Sequence, residues 1–167
     1  GVLERTGATA IYRPILVGGV FNAVNPAVYA AREQADNRRL QHSWKVLMDW
    51  ARLADVPMNF PSQYHPAKSV QAMRFATALE ADQTALARFA RAAFASYFDR
   101  QENLDDPDVL EAVATAEGLD GAAIRAAASS DEVKARLRAN TEEVVARGGY
   151  GSPTIFVDGT DMYFGND

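Results

Sequence analysis

The chain has 167 residues and a formal net charge of -5, which argues against a nucleic-acid binder, because such proteins usually present a basic face. Apolar residues make up 48% and charged residues 23%, enough for a real core and too apolar for a disordered chain, so one domain, or one domain with a sizeable insertion, is expected. There is no cysteine, which excludes structural disulfides and cysteine-based zinc sites within this chain.

The first seven residues, GVLERTG, read as the last turn of a helix with Gly7 as its C-terminal stop. A strand is expected over residues 8–17, ATAIYRPILV, with Pro14 at a bend or an edge position. Opening on a helix end points to an upstream segment, a strand and most of a helix, that this sequence does not include. The longest apolar stretch, ILVGGVF at 15–21, is far too short to cross a bilayer, and no signal-peptide pattern opens the chain. The expectation is a soluble, cytoplasmic protein that does not engage a membrane.

Between residues 27 and 148 the pattern is helical. A helix near 39–54 places Leu40, Trp44, Leu47, Met48 and Ala51 on one face, and another near 84–98 does so for Leu86, Phe89, Ala90, Ala93, Phe94 and Tyr97. Asp106 is the expected N-cap of the next helix, with Pro107 at its first position and Gly118 as its stop. Asp120 caps a short helix, and Ser129 with Glu132 forms an expected capping box for a long one. The core face of that last helix is Val133, Leu137, Val144 and Val145, and Gly148–Gly149 ends it. Residues 59–68, NFPSQYHPAK, form a Pro-rich loop. Thr154–Val157 and the DMYFG stretch at 161–165 read as strands around an Asp158-Gly159 hairpin turn. Strands confined to the two ends imply one sheet closed around an inserted helical subdomain. The expected boundaries are 1–26 and 128–167 for the α/β core and 27–127 for the insertion.

Few residues carry obvious chemistry. His42 and His65 are the only histidines and lie on different elements, so no metal site is expected. Ser152 sits between Gly151 and Pro153, but the order is helix then strand, the reverse of a nucleophile elbow, and a hydrolase is rejected. Arg38 and Arg39, near a helix start, could meet a carboxylate with bidentate geometry. The Ser152-Pro153 step opens a strand beside a hairpin. Residue physics leaves its cis and trans forms open; a cis bond would turn the N–H and C=O of Ser152 away from the sheet, where an extended ligand could pair with them as a short added strand.

RGGYGSPTIFVDG at 147–159 with MYFGND at 162–167 resembles the C-terminal signature of 2-hydroxychromene-2-carboxylate isomerases. These are relatives of kappa-class glutathione transferases and of the DsbA-like branch of the thioredoxin superfamily. YRPILVGGVFNAVN at 12–25 is similar to the family's second strand and following loop, and DWARLADVPMNFPSQY at 49–64 to its helix and Phe-Pro loop. The resemblance implies a thioredoxin-like sheet with an inserted all-helical subdomain, here without the first strand and the last helix. It implies glutathione as cofactor. Pro153 would be the cis proline, and the Ser152 backbone would pair with the cysteinyl part of glutathione. Phe164, Gly165, Asn166 and Asp167 would hold the γ-glutamyl end. Tyr64, Asn22, Asn37 and Arg38 are the implied substrate contacts, and Asn22 stands near the place where family members often carry Lys. The implied reaction is glutathione-dependent isomerisation of 2-hydroxychromene-2-carboxylate to trans-o-hydroxybenzylidenepyruvate, in aromatic degradation, or a close glutathione-transferase-like activity. Its catalytic Ser is expected in the segment missing here, so no residue of this sequence is assigned as catalytic. The resemblance also implies a homodimer and a small aromatic carboxylate as partner. Two alternatives stand beside this reading: a DsbA-like thiol-disulfide oxidoreductase, and a non-catalytic ligand- or peptide-binding module.

Overall fold

In a computed structural model of the chain, residues 2–27 and 38–165 are described. The helices are α1 (Val2–Thr6), α2 (Val17–Val24), α3 (Arg38–Leu53), α4 (Val70–Ala78), α5 (Gln83–Phe98), α6 (Pro107–Ala116), α7 (Gly121–Ala128) and α8 (Asp131–Ala146), followed by strands β1 (Thr154–Val157) and β2 (Asp161–Phe164). Caps define most of the boundaries. Asp82 accepts from the amides of Thr84 and Ala85, Asp106 from Asp108, and Asp120 from Ala123. Gly7 and Gly118 take positive φ at the helix stops expected for them. The cap of α8 lies one residue later than expected. Ser130 accepts from the amide of Val133, and Ser129 instead donates back to Arg125 O in α7.

The largest buried cluster lies within residues 72–128. Phe75 and Phe89 stack with ring centroids 6.1 Å apart, and Leu86, Leu110, Val113, Ile124 and Ala128 close around them. Helix α4 packs against α5, α6, α7 and α8. The face expected for α5 is buried at Leu86, Phe89, Ala93 and Tyr97, but Phe94 is 60% exposed. On α3, Ala51 is buried and Trp44 and Met48 are half-buried, whereas Leu47 is exposed. Both departures have one cause: these side chains lie at the margin of their helix's apolar stripe, and no neighbouring element among the described residues covers them.

The strand expected at residues 8–17 is not formed. Residues 7–16 carry no regular structure, and α2 begins at Val17. β-Propensity needs a ladder partner, and none lies alongside among the described residues. Side chains serve this backbone instead. Gln83 accepts from the amide of Tyr12 (2.6 Å) and donates to its carbonyl (3.2 Å). Thr141 accepts from the amide of Leu16 (3.0 Å), and Asn140 donates to the carbonyl of Pro14 (3.2 Å). Arg13 adds the charged contacts: it donates to Asn140 Oδ1 at 2.9 Å, pairs with Glu143 at 2.8 Å and lies 3.6 Å from Glu80. Asn140 also donates to Glu80 Oε2 at 2.8 Å. Helix α2 then packs on α8, with Gly19 close to Thr141; a Cβ at 19 would lie 3.1 Å from Thr141 Cγ2.

The sheet therefore consists of one antiparallel pair among the described residues, with Thr154 opposite Phe164 and Val157 opposite Asp161. Its turn is the one expected. Asp158 and Gly159 both have positive φ (48° and 85°), which Asp tolerates and Gly takes freely.

Two stability outcomes follow. Asn140 is 2% exposed, and its amide serves both a carboxylate and a backbone carbonyl. Asn140→Ala should cost about 2 kcal/mol in urea unfolding, because both acceptors lose a buried donor. Leu110 is fully buried, and Leu110→Ala should cost about 2–5 kcal/mol by the same measurement. A loss below about 0.5 kcal/mol at either position would contradict the packing described here.

Candidate functional site

The chain turns from α8 into the hairpin through Gly148–Pro153. The amide of Gly149 donates to Val144 O at 2.8 Å. Gly151 is buried against aromatic rings. A Cβ there would lie 2.9 Å from Phe164 Cε2, so the absence of a side chain lets the loop close on that ring, while Phe21 Cε1 would be at an ordinary contact distance of 3.7 Å. Tyr150 packs on Phe164 with centroids 4.4 Å apart. The floor of the loop is thus built by Phe21 from α2, Tyr150 and Phe164.

The Ser152-Pro153 peptide is cis, as the family resemblance implies. Thr154 Oγ1 donates to Gly151 O at 2.8 Å, and the amide of Gly165 donates to Pro153 O at 3.1 Å. The second bond orients the whole edge. Backbone groups alternate sides along a strand, so with Pro153 O turned toward β2, the backbone of Thr154 faces the other side. No strand lies on that side among the described residues. Ser152 and Pro153 are exposed, and neither the backbone nor the hydroxyl of Ser152 has a hydrogen-bond partner among the described residues. The site is an open backbone edge above an aromatic floor.

Arg147 anchors the hairpin. Its guanidinium lies 3.6 Å from the centroid of the Phe156 ring and donates to Gly159 O at 2.9 Å, while also pairing with Glu143 at 3.3 Å. On the other face of the hairpin the Tyr163 hydroxyl donates to Asp161 at 3.0 Å, and that carboxylate pushes the phenol above its ordinary pKa.

Of the residues expected at the site, Ser152, Pro153, Phe164 and Gly165 come together here. Asn22 is exposed on α2, next to Phe21, whose ring reaches Gly151. Arg38 is exposed at the first position of α3, and Tyr64 is 41% exposed in the 59–68 loop, where its amide donates to Ser62 Oγ at 3.1 Å. No hydrogen bond, ion pair or ring contact among the described residues joins either of them to the hairpin. Asn37, Asn166 and Asp167 lie outside the described residues. Phe21, Tyr150 and Arg147 are site-building residues that the sequence did not single out. For Arg147 a local signal existed, a basic residue at a helix end followed by two glycines.

The histidines play other parts. His65 Nδ1 lies 3.1 Å from the Tyr97 hydroxyl, with the rings of Phe60 and Trp44 edge-on at 4.7 and 6.3 Å. Burial is the main cause that raises the pKa of Tyr97. Among the described residues no three His, Asp or Glu side chains gather as a metal-binding group. No helix is long and apolar enough to cross a membrane among those residues either.

Comparison with known proteins agrees with this architecture. Curated protein sequences yield no match. A solved structure of 2-hydroxychromene-2-carboxylate isomerase superposes with a TM-score of 0.76 at 24% identity, over 99% of this chain and 78% of the other, a likeness of fold. The model of the DSBA-like thioredoxin domain matches residues 2–167, and the chain belongs to that family.

Proposed function

We propose that the chain is the glutathione-binding part of an isomerase acting on a small aromatic carboxylate, with 2-hydroxychromene-2-carboxylate as the substrate suggested by the structural neighbour. One observation carries the reading: the open edge at Ser152, whose backbone N–H and C=O lack partners beside a loop closed onto aromatic rings. Such an edge recognises an extended peptide-like ligand through main-chain bonds, and glutathione is a ligand of that kind.

In this reading Ser152 pairs with the cysteinyl residue of glutathione through its N–H and C=O. Bound glutathione would supply a nucleophilic thiol that adds to a conjugated carbon of the substrate and leaves again after bond rotation. Asp167 neutralises the α-ammonium of the γ-glutamyl end, and Asn166 hydrogen-bonds its carboxylate, beside Phe164 and Gly165. The exposed Asn22, together with Tyr64, Asn37 and Arg38, supplies polar and aromatic contacts to the substrate. A peptide-binding module is the reading left if the edge takes extended peptides but not glutathione.

Calorimetric titration tests the proposal. Glutathione should bind, and Asp167→Ala should weaken it by about tenfold or more, the worth of a charge-assisted hydrogen bond. Gly151→Val should also weaken binding, because the new side chain must displace the Phe164 ring. Absence of binding heat with glutathione, alongside saturable binding of an extended peptide, would sink the isomerase reading. Affinity unchanged in both variants would show that glutathione binds elsewhere.

A further inference from the structure

Tyr150 stands two residues before Ser152, and its hydroxyl has no part in the contacts described above. The ring packs on Phe164 with centroids 4.4 Å apart and planes inclined by 36°, yet the residue is 44% exposed. The hydroxyl has no hydrogen-bond partner among the described residues. The other tyrosine of the hairpin differs, since the Tyr163 hydroxyl is committed to Asp161 at 3.0 Å. The backbone on both sides of Tyr150 is tightly held. A Cβ at Gly149 would lie 2.5 Å from Val144 Cγ2 and 2.9 Å from Val144 O, and one at Gly151 would lie 2.9 Å from Phe164 Cε2. The ring is thus carried by a pinned loop, and a ligand that meets it has little loop ordering to offset.

Position and chemistry both favour a ligand here. Two residues of extended chain span at most about 7 Å, so the Tyr150 backbone stands within that distance of the Ser152 edge. A half-exposed ring offers surface to a planar conjugated system, in the offset or edge-on arrangements that aromatic pairs prefer. A neutral phenol donates a hydrogen bond, and an anionic oxygen is its strongest acceptor. The hairpin and its loop hold no spare cation among the described residues for such an oxygen. Arg147 is their one basic residue, and it already serves Glu143, Gly159 and the Phe156 ring. An uncharged donor on an aromatic ring suits a flat carboxylate better than it suits glutathione, which has no conjugated ring.

We propose that Tyr150 is a specificity-determining residue for the second ligand of this site: its ring stacks on a planar conjugated acid and its hydroxyl donates to the carboxylate. The proposal rests on the glutathione reading above. Calorimetry with two probes tests it, each titrated into the chain saturated with glutathione. The first probe is trans-cinnamate. The second is trans-cinnamyl alcohol, which keeps the conjugated ring and lacks the carboxylate. Trans-cinnamate should bind. Tyr150→Phe should weaken it by about tenfold, the worth of a hydrogen bond to a charged group, and should change the alcohol by less than about twofold. Tyr150→Ala should weaken both probes, because the stacking surface is lost as well. A glutathione titration of each protein sets the saturating concentration, and far-ultraviolet circular dichroism checks that each variant folds. If the loaded chain takes no trans-cinnamate, or if Tyr150→Phe leaves its affinity within about twofold, the proposal is overturned while the glutathione reading stands. Equal losses on both probes in Tyr150→Phe also overturn it, since they mark a merely structural hydroxyl. No binding of glutathione in the first titration overturns the reading and this proposal together.

Discussion

The contact on which the site depends is remote from it in sequence: Arg13 held by Asn140, Glu143 and Glu80. Residues 7–16 have no helix or strand of their own. A segment without regular structure must find partners for its peptide groups, and this one finds them on side chains of α5 and α8. Asn140 is central because it is buried and bridges a guanidinium, a carboxylate and a carbonyl. A partly exposed ion pair such as Arg13–Glu143 adds little by itself. Arg13 lies three residues before Leu16, the N-cap of α2, whose amide donates to Thr141, and α2 brings Phe21 to the loop at Gly151.

Two kinds of cohesion coexist in the chain. Residues 72–128 enclose a continuous apolar cluster, and three of its four helices, α5, α6 and α7, begin on Asp caps. The hairpin is held differently, by the Gly151–Phe164 contact, the Tyr150 ring and the Arg147 clamp. Ile155, Val157 and Tyr163 on its outer face are each more than 40% exposed. The helical part thus provides rigidity, and the hairpin presents backbone. Backbone groups committed to a core could not also be open to solvent, as those of Ser152 are.

What could be read from the sequence follows the range of the interaction. Asp106, Asp120, Gly7, Gly118 and the Asp158-Gly159 turn act within four residues of their partners, and all behave as their chemistry dictates. Ser129 and Ser130 are adjacent, both before acidic residues, and only the final geometry of α7 decides which one caps α8. Residues 8–17 have the composition of a strand, but a ladder is a tertiary property, and Gln83, Asn140 and Thr141 lie some 70 to 130 positions away. Phe94 obeys helical periodicity and still faces outward, because a neighbour decides burial and the wheel does not. At the site, the proline step and the hairpin were legible from local order. The part supplied by Phe21 was not, because it depends on a contact across elements, and for Arg147 only its place at a helix end before two glycines was local.

Glu143 occupies an unusual position in this scheme. One of its oxygens meets Arg13 and the other meets Arg147. A single carboxylate on α8 is therefore shared between the cation that seats the amino-terminal segment and the cation that clasps the hairpin. A small rotation of α8 about its axis would draw both guanidiniums with it, carrying Phe21 and the Gly159 turn in concert. The amino-terminal segment and the hairpin are in this sense tied to one helix through one side chain.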